Sequence, residues 1–387
     1  DGLFAKALHF VFFAFGPSTA GTIYAFGYTL LTGVLLNFVF GVFATRVMIR
    51  GAASIKALRN PWLYGAVKPG KEVKEKKPID FVGLRKRFLT ISTCLMAAII
   101  LCAAVFGVRL DTEFTGGAMI TLSYQGEIST SEVQKTASTA LENNGLTLQT
   151  GENVATGEQT LKISMPGNET VTTDQVENLL TSLNEQYPDN AFAQLSLSNV
   201  SAAMGTKFLQ KSLVAVVFSL LLILLYIGFR FKKIGGLTGG LMAVLALLND
   251  LIVVFGTFVL LRTPLDGNFI AAMLTILGYS INDTVVVYDR IRENRALMGK
   301  KTPFEELVNH SVNQSARRTI ITTVTTVMAL GVMCVVSKLY GLDSIFTFAF
   351  PLMMGMLSGV YTSLCVSTSA WVLWNDRKSK KAETKKA

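Results

Sequence analysis

Between the turn at Asp266-Gly267 and the charged run Asp289, Arg290, Arg292, Glu293 lies an apolar stretch of about twenty residues, long enough for one helical crossing of a bilayer, and it carries an aspartate, Asp283. A segment in hydrocarbon must satisfy its backbone within itself, so this stretch is predicted as helix. A carboxyl inside it is costly unless it is paired, hydrated or protonated. At helical spacing Tyr279 and Ser280 occupy the preceding turn on the same face, so polar groups accompany the acid. Two readings stand: a functional intramembrane acid, or an acid near the end of a span that reaches the interface or hydrogen-bonds a neighbouring helix.

Six further stretches have spanning length: Ile23–Val47, Phe88–Val108, 212–229, 236–261, 319–337 and 344–374, the last too long to be straight helix throughout. Phe4–Phe15 is shorter and more broken, and Gly16-Pro17-Ser18-Thr19 after it reads as a turn. Half of the 387 residues are hydrophobic and only 16% are charged, which excludes an ordinary soluble domain of this length and indicates a polytopic α-helical membrane protein. Cys94, Cys102, Cys334 and Cys365 all fall in apolar runs, so they read as packing residues, with neither a disulfide framework nor a metal site implied. The chain opens on Asp1-Gly2-Leu3 with no basic leader, which suggests a piece of something longer.

Charge divides the molecule. Residues 109–208 hold four basic and twelve acidic residues, a net −8, whereas the chain as a whole carries +10, so the remainder carries +18. The positive charges cluster at Arg46–Lys77, Arg230–Lys233, Arg290–Lys301 and Arg377–Lys386, and the positive-inside rule places these in the cytoplasm and 109–208 outside. The expected organisation is a membrane helix in 1–50, a cytoplasmic linker 51–87 around the charged Gly70–Pro78, a helix 88–108, the acidic domain 109–208, a five-helix group 209–374 and a basic cytoplasmic tail 375–387.

Within the acidic domain, Glu113–Tyr124 alternates as a strand does and Ser131–Asn143 has helical spacing. Leu146–Gln149 with Thr160–Met165 reads as a hairpin, and helix Asp174–Gln186 and strand Phe192–Leu197 follow. The β-α-β-β-α-β order predicts a ferredoxin-like α+β sandwich, which says little about function. No Ser/His/Asp or Cys/His constellation is visible there, and no enzymatic activity or cofactor is expected. Glu113-Phe114-Thr115-Gly116-Gly117 at its membrane edge reads either as a Gly-Gly turn or as a hinge.

Two more polar features lie in spans. Asn249-Asp250 sits in the middle of 236–261, either hydrogen-bonded across helices or sharing a proton pathway. In Arg317-Arg318-Thr319-Ile320-Ile321-Thr322-Thr323-Val324-Thr325-Thr326, helical spacing puts Arg318, Thr322 and Thr325 on one face; the arginines read equally as anchors at a helix entry. Gly235–Gly239, Gly236–Gly240 and Gly355–Gly359 give the small-xxx-small spacing of close helix packing. Leu31-Thr32-Gly33-Val34 recurs as Leu357-Ser358-Gly359-Val360, a faint sign of repeated bundles. Gly299-Lys300-Lys301-Thr302 lacks the earlier glycine and the strand of a phosphate-binding loop, which removes that route to ATP-driven action.

Gly278–Asn294, Glu113–Gly117 and the Arg318-Thr319 entry together resemble the SecF half of the SecD/SecF protein-export membrane proteins, over roughly residues 84–376. Residues 1–50, with Phe13–Gly16 and the Gly33–Arg46 pattern, resemble the end of the SecD half, so the resemblance implies a fused parent with 51–83 as junction. It further implies a resistance-nodulation-division-type six-helix bundle plus one helix of the preceding half, and a proton-motive-force-driven accessory of the Sec translocon in the bacterial plasma membrane. The implied partners are the SecD half, SecYEG, SecA, unfolded preproteins and the bilayer, with no nucleic acid. By resemblance Asp283 is the proton-pathway acid and Arg318 its partner cation, and Asp250, Asn282 and Thr322 complete the candidate pathway. One departure is visible: the family usually has Asp where this chain has Glu113, which keeps the charge and lengthens the arm. A proton-coupled exporter of small molecules or lipids and a non-transporting assembly partner are the competing readings; the second leaves Asp283 and Asp250 unexplained.

Overall fold

Seven helices among the described residues are long and apolar enough to cross a membrane, in agreement with the seven runs read from the sequence. The computed structural model describes residues 21–56, 59, 78–143, 145–152, 157–167, 170–299 and 301–384. The expectations for Phe4–Phe15, for the turn after it and for the charged linker segment Gly70–Lys77 lie outside the described residues. The chain divides into two units, Asp1–Ile79 and Asp80–Ala387.

In the first unit, helix α1 (Gly21–Leu36) runs through a π-helical stretch, Asn37–Ala44, into α2 (Thr45–Ser54). Phe38, Phe40 and Phe43 on the π-helical stretch are exposed, and no residue of that stretch or of α2 is buried. A helix this apolar with no buried face has the composition of a segment that meets lipid or other helices.

The second unit contains α3 (Arg85–Phe106), the single-turn α4 (Thr112–Thr115), β1 (Gly117–Tyr124), α5 (Thr130–Ala140), β2 (Thr147–Glu152), β3 (Gln159–Pro166), α6 (Thr173–Gln186) and β4 (Ala193–Val200). Then follow α7 (Ala202–Arg230), α8 (Gly236–Leu261), α9 (Gly267–Met298), α10 (Phe304–Leu339), α11 (Asp343–Tyr361), a π-helical turn Thr362–Ser367, and α12 (Thr368–Thr384). Three helices exceed their sequence windows: α7 starts ten residues earlier, α10 fifteen earlier, and α9 runs nine further. Hydropathy sees only the part of a helix that suits lipid, whereas the backbone continues into polar turns that are well started. Ser201 caps α7 by accepting from the Met204 N–H, and Glu305 and Glu306 occupy the first turn of α10.

The four strands form an antiparallel sheet of order β2-β3-β1-β4, so β1 and β3 occupy the centre and α5 and α6 each connect strands across a neighbour. This is the ferredoxin-like arrangement. Alternation does the sorting: Ile120, Leu122, Leu161 and Ile163 point to one face, where Val133 and Ala137 of α5 and Val176, Leu179 and Leu183 of α6 cover them, all nine fully buried. The start of the sequence-read strand is corrected. Glu113, Phe114 and Thr115 belong to the helical turn α4, and the strand begins at Gly117, because Asp111 caps that turn through its carboxylate on the Thr112 N–H at 2.8 Å.

In the bundle α8 packs against α3, α7, α9 and α11, and its small residues allow this. A side chain on Gly236 would lie 2.5 Å from the Gly228 carbonyl, and one on Gly355 would lie 2.7 Å from Val254. The glycine spacing read from the sequence therefore does mark close helix approach.

Candidate functional site

Asp250 on α8 and Asp283 on α9 are both buried in the bundle, 0% and 4% exposed, and their surroundings differ. Asp250 accepts hydrogen bonds from three hydroxyls: Ser280 of α9 at 2.6 Å, Ser358 of α11 at 2.6 Å, and Thr362 of the π-helical turn at 2.9 Å to either oxygen. Both carboxylate oxygens are thus occupied without a cation, which is how an acid is held in a dry interior by dipoles alone. The π-helical turn is buried along its whole length, and it supplies both Thr362 to Asp250 and Ser363 to Thr284. Beside Asp250, the Asn249 amide donates to the Ser92 hydroxyl of α3.

The same interface continues as a ladder of hydroxyls that hydropathy did not reveal. Ser280, Thr284 and Tyr288 recur every fourth residue on α9. Thr284 pairs with Ser363 at 2.8 Å, and Tyr288 pairs with Ser367 at 2.6 Å and donates to the Gly239 carbonyl at 2.9 Å.

Asp283 faces the other side, toward α10. The groups of α10 that act on its carboxyl are the Thr323 hydroxyl and the positive charge of Arg318. Thr323 Oγ1 is buried and has no hydrogen-bond partner among the described residues, and Arg318 forms no ion pair among them. Arg318 instead lines a cavity of about 320 Å³ with Val286, Asp289, Arg290, Glu293, Gln314 and Ser315, four of the seven lining residues being charged. Tyr279, one turn before Asp283, reaches Thr326 at 2.8 Å and ties α9 to α10 above the acid.

Arg318, Thr322 and Thr325 do share one face of α10, and it is the exposed one. Thr322 and Thr325 are exposed and their hydroxyls bond back to their own helix; the buried ones are Thr319 and Thr323, one position round. Asn282 is also exposed, next to Asp283 in sequence but outside the buried group. The structure therefore brings together Asp283, Thr323 and Arg318, places Asp250 in a separate hydroxyl cage reached through Ser280, and leaves Asn282 and Thr322 aside.

A second cluster joins the α+β domain to the bundle at Glu113–Gly117. Glu113 Oε2 accepts from the Gly267 N–H, the first of α9, at 2.8 Å, and Phe114 is buried against Phe208 of α7 with ring centroids 5.5 Å apart. Thr115 donates to the Asp111 carbonyl at 3.1 Å. Gly116 has φ +80°, and a side chain there would lie 2.5 Å from the backbone of Ala202; Gly117 has φ +127° and abuts the Met165 carbonyl, so both positions need glycine. Lys162 of β3 lies 3.5 Å from Asp111 and 3.8 Å from Glu113. Asp266, the cap of α9, is pushed up to about 7 by burial and by the nearby Glu113 and Asp111 charges, opposed in part by Lys162 and the Phe269 N–H. Burial would lower the Lys162 ammonium, but the attraction of Asp111, Glu113 and Asp266 outweighs it and holds it above its usual range. The backbone adds to the joint: Leu110 and Leu265 form a bridge through the Asp111 N–H to Leu265 carbonyl and Leu265 N–H to Arg109 carbonyl bonds, both 2.9 Å. On the far edge of the sheet, Thr150 of β2 donates to the Gly341 carbonyl and lies 3.2 Å from Asp343, at the turn between α10 and α11. The domain is thus fastened to the ends of the helices that carry Asp283 and Arg318.

With that geometry in view, the comparisons converge. Residues 179–377 match the family model described as protein export membrane protein SecD/SecF, C-terminal. The chain is 31% identical over 310 residues to protein translocase subunit SecF of Alicyclobacillus acidocaldarius, covering 79% of this chain and 96% of that one. It is 28% identical to protein translocase subunit SecDF of Bacillus subtilis over 96% of its own length and 49% of that protein's. The crystal structure of the translocon-associated membrane protein SecDF from Thermus thermophilus superposes with a TM-score of 0.71 at 25% identity, over 97% of this chain and 48% of that one. The chain therefore spans about half the length of the SecDF relatives it matches and nearly the whole of the SecF relative.

Proposed function

This chain belongs to the SecD/SecF family of protein-export membrane proteins, and from that premise we propose that it works in Sec-pathway translocation as the SecF half of a proton-driven accessory, with Asp283 carrying the proton and Arg318 controlling its release. The observation that carries this reading is Arg318, without an ion pair among the described residues, lining a charged cavity on the helix packed against the one that buries Asp283. A carboxyl binds a proton more tightly when desolvated and less tightly when a guanidinium approaches, so a small shift between α9 and α10 changes its occupancy. One charge crossing 100 mV gains about 2.3 kcal/mol, enough to bias a two-state bundle well over tenfold. The joint at Glu113 and the contact at Thr150 touch the ends of the helices that would move, so they supply a mechanical link to the α+β domain. The domain divisions drawn from the sequence suit this division of labour, with 109–208 as the extracytoplasmic part and 209–374 as the motor part. The SecD half, the SecYEG channel, SecA and an unfolded preprotein complete the proposed assembly in a bacterial plasma membrane.

The test is Asp283→Asn in a protein reconstituted with its SecD half. Proton-dependent stimulation of export should disappear while expression and insertion remain, because the amide keeps the shape and loses the titration. Unchanged coupling in that variant would leave the non-transporting assembly reading in possession. Orientation is tested separately by single cysteines in a cysteine-free background: Glu185→Cys should react with an impermeant reagent from outside, and Arg377→Cys should not.

A further inference from the structure

At the foot of the bundle, the end of α7, the start of α8 and Lys378 of α12 line an open hollow of about 430 Å³. Its upper wall is apolar and largely exposed, with Leu225, Phe229 and Leu237 at 55%, 78% and 64%. Its lower rim holds Lys232 and Lys378, and neither is ion-paired among the described residues. The contrast with their neighbours is informative: Asp289 is engaged by Arg230 at 3.2 Å and Asp376 by Arg85 at 3.4 Å, so both of these acids already have a cation. The same cavity is lined by the N-terminus of α8, which no side chain caps. Gly235 precedes it at φ +94°, and the first-turn residues Gly236, Leu237 and Thr238 line the cavity, their N–H groups without a backbone acceptor among the described residues. The hollow exists because Gly228 lacks a side chain, and a Cβ there would meet nothing within 4 Å.

We propose that this cavity binds an anionic phospholipid, its phosphodiester held by Lys232, Lys378 and the α8 N-terminus and one acyl chain laid along Phe229, Leu225 and Leu237. The chemistry selects this occupant. A two-lysine rim and open helix amides favour a phosphate with net negative charge. The apolar wall rising from it along a membrane-spanning helix gives a lipid tail a surface that a free phosphate or a soluble anion would leave exposed. A zwitterionic lipid offers the same tail but brings an ammonium group to the lysines. The site lies at the opposite end of the bundle from Glu113 and takes no part in the Asp283 arrangement, so it stands whether or not that arrangement moves protons.

Native mass spectrometry of the full chain, delipidated and then titrated with phosphatidylglycerol, phosphatidylcholine or inorganic phosphate, decides the matter. Each lysine near a charged surface contributes about fivefold, so Lys232→Gln with Lys378→Gln should weaken phosphatidylglycerol retention roughly 30-fold. Gly228→Leu, which fills the hollow while raising helix propensity, should abolish retention with both lysines intact. Phosphatidylcholine should be retained weakly and equally by all forms, and phosphate should not be retained. Equal phosphatidylglycerol retention by the wild type, the double variant and Gly228→Leu would overturn the proposal, as would retention of phosphatidylcholine as tight as that of phosphatidylglycerol. Phosphate held as tightly as the lipid would replace it with a simple anion site.

Discussion

Asp250 and Asp283 are two carboxyls of one bundle, on adjacent helices, and they are accommodated by opposite means. Asp250 is saturated: three hydroxyls from three elements occupy its oxygens, and each donor is itself buried or half-buried. Asp283 is left open, with one buried hydroxyl beside it and a cation whose other side faces a cavity. A saturated acid holds helices in register, because moving any of them strands a polar group in a dry interior. An open acid next to a cation that no carboxylate clamps can change state at little structural cost. The comparison supports the proposed division of labour, with Asp250 in the scaffold and Asp283 in the moving part, although the sequence presents both as charges in apolar runs.

The largest expected effect is the sharpest way to break that assignment. Asp283→Asn should remove proton-coupled stimulation altogether and leave the melting temperature of the purified chain within the range of ordinary surface changes. Arg318→Lys should keep the folded state and lose most of the coupling, since an ammonium beside a buried acid can give up its own proton whereas a guanidinium does not. If instead Asp283→Asn melted far below the wild type, the open acid would be a scaffold residue after all.

Next in size is Asp250→Ala, which strands the hydroxyls of Ser280, Ser358 and Thr362 around a void and should cost about 3 kcal/mol in detergent unfolding. Asp250→Asn, which retains the acceptor and the volume, should cost about 1 kcal/mol and spare coupling. Full loss of coupling in a well-folded Asp250→Asn chain would merge the two acids into one pathway through Ser280.

How far these assignments could be read from the sequence depends on what each side chain contrasts with. Asp250 and Asp283 were visible because a charge stands out in an apolar run, and the strand and helix order of the α+β domain was visible because buried positions alternate there with exposed ones. The ladder of Ser280, Thr284 and Tyr288 was not, since hydroxyls barely disturb hydropathy and their partners Ser363 and Ser367 are more than seventy residues away. That Thr319 and Thr323 turn inward while Thr322 and Thr325 turn outward was not legible for a related reason. Isoleucine, valine and threonine occupy both faces of that helix, so periodicity cannot say which turns inward. The Gly-Gly of Glu113–Gly117 announced a turn, but the bond from Glu113 to Gly267, 154 residues on, has no local signature.

That bond gives the next prediction in size. Glu113→Asp shortens the arm by one methylene and should lose the charged hydrogen bond to the α9 N-terminus, costing about 1–2 kcal/mol. Glu113→Gln retains the reach and should cost less. The two variants compare the joint with the bundle: a joint that transmits motion should show reduced coupling in Glu113→Asp even where the fold survives.

The smallest expected effect is a pH dependence confined to the joint, and it separates the joint from both intramembrane acids. Asp266 is raised to about 7 in the folded chain, against about 3.9 for an unperturbed aspartate. In that interval the folded state binds more protons than the unfolded one, so stability falls as pH rises from about 4 and levels off above about 7. The loss between pH 6 and 8 is on the order of 1 kcal/mol, and it belongs to the Asp266, Glu113, Asp111 and Lys162 cluster as a coupled set. Amide exchange at Gly267–Phe269 reads it directly, because the Asp266 carboxylate accepts the Phe269 N–H and Glu113 accepts the Gly267 N–H. Protection there should fall across pH 6–8 once the intrinsic rate is divided out. Asp266→Asn should flatten the profile, since the amide oxygen still caps the helix and no longer titrates. A flat profile in the wild type would place the charge of this cluster outside the working pH range and make the joint a fixed hinge pin. A slope that Asp266→Asn removes makes it a second protonation site, separate from Asp283 and attached to the part of α9 that the α+β domain grips.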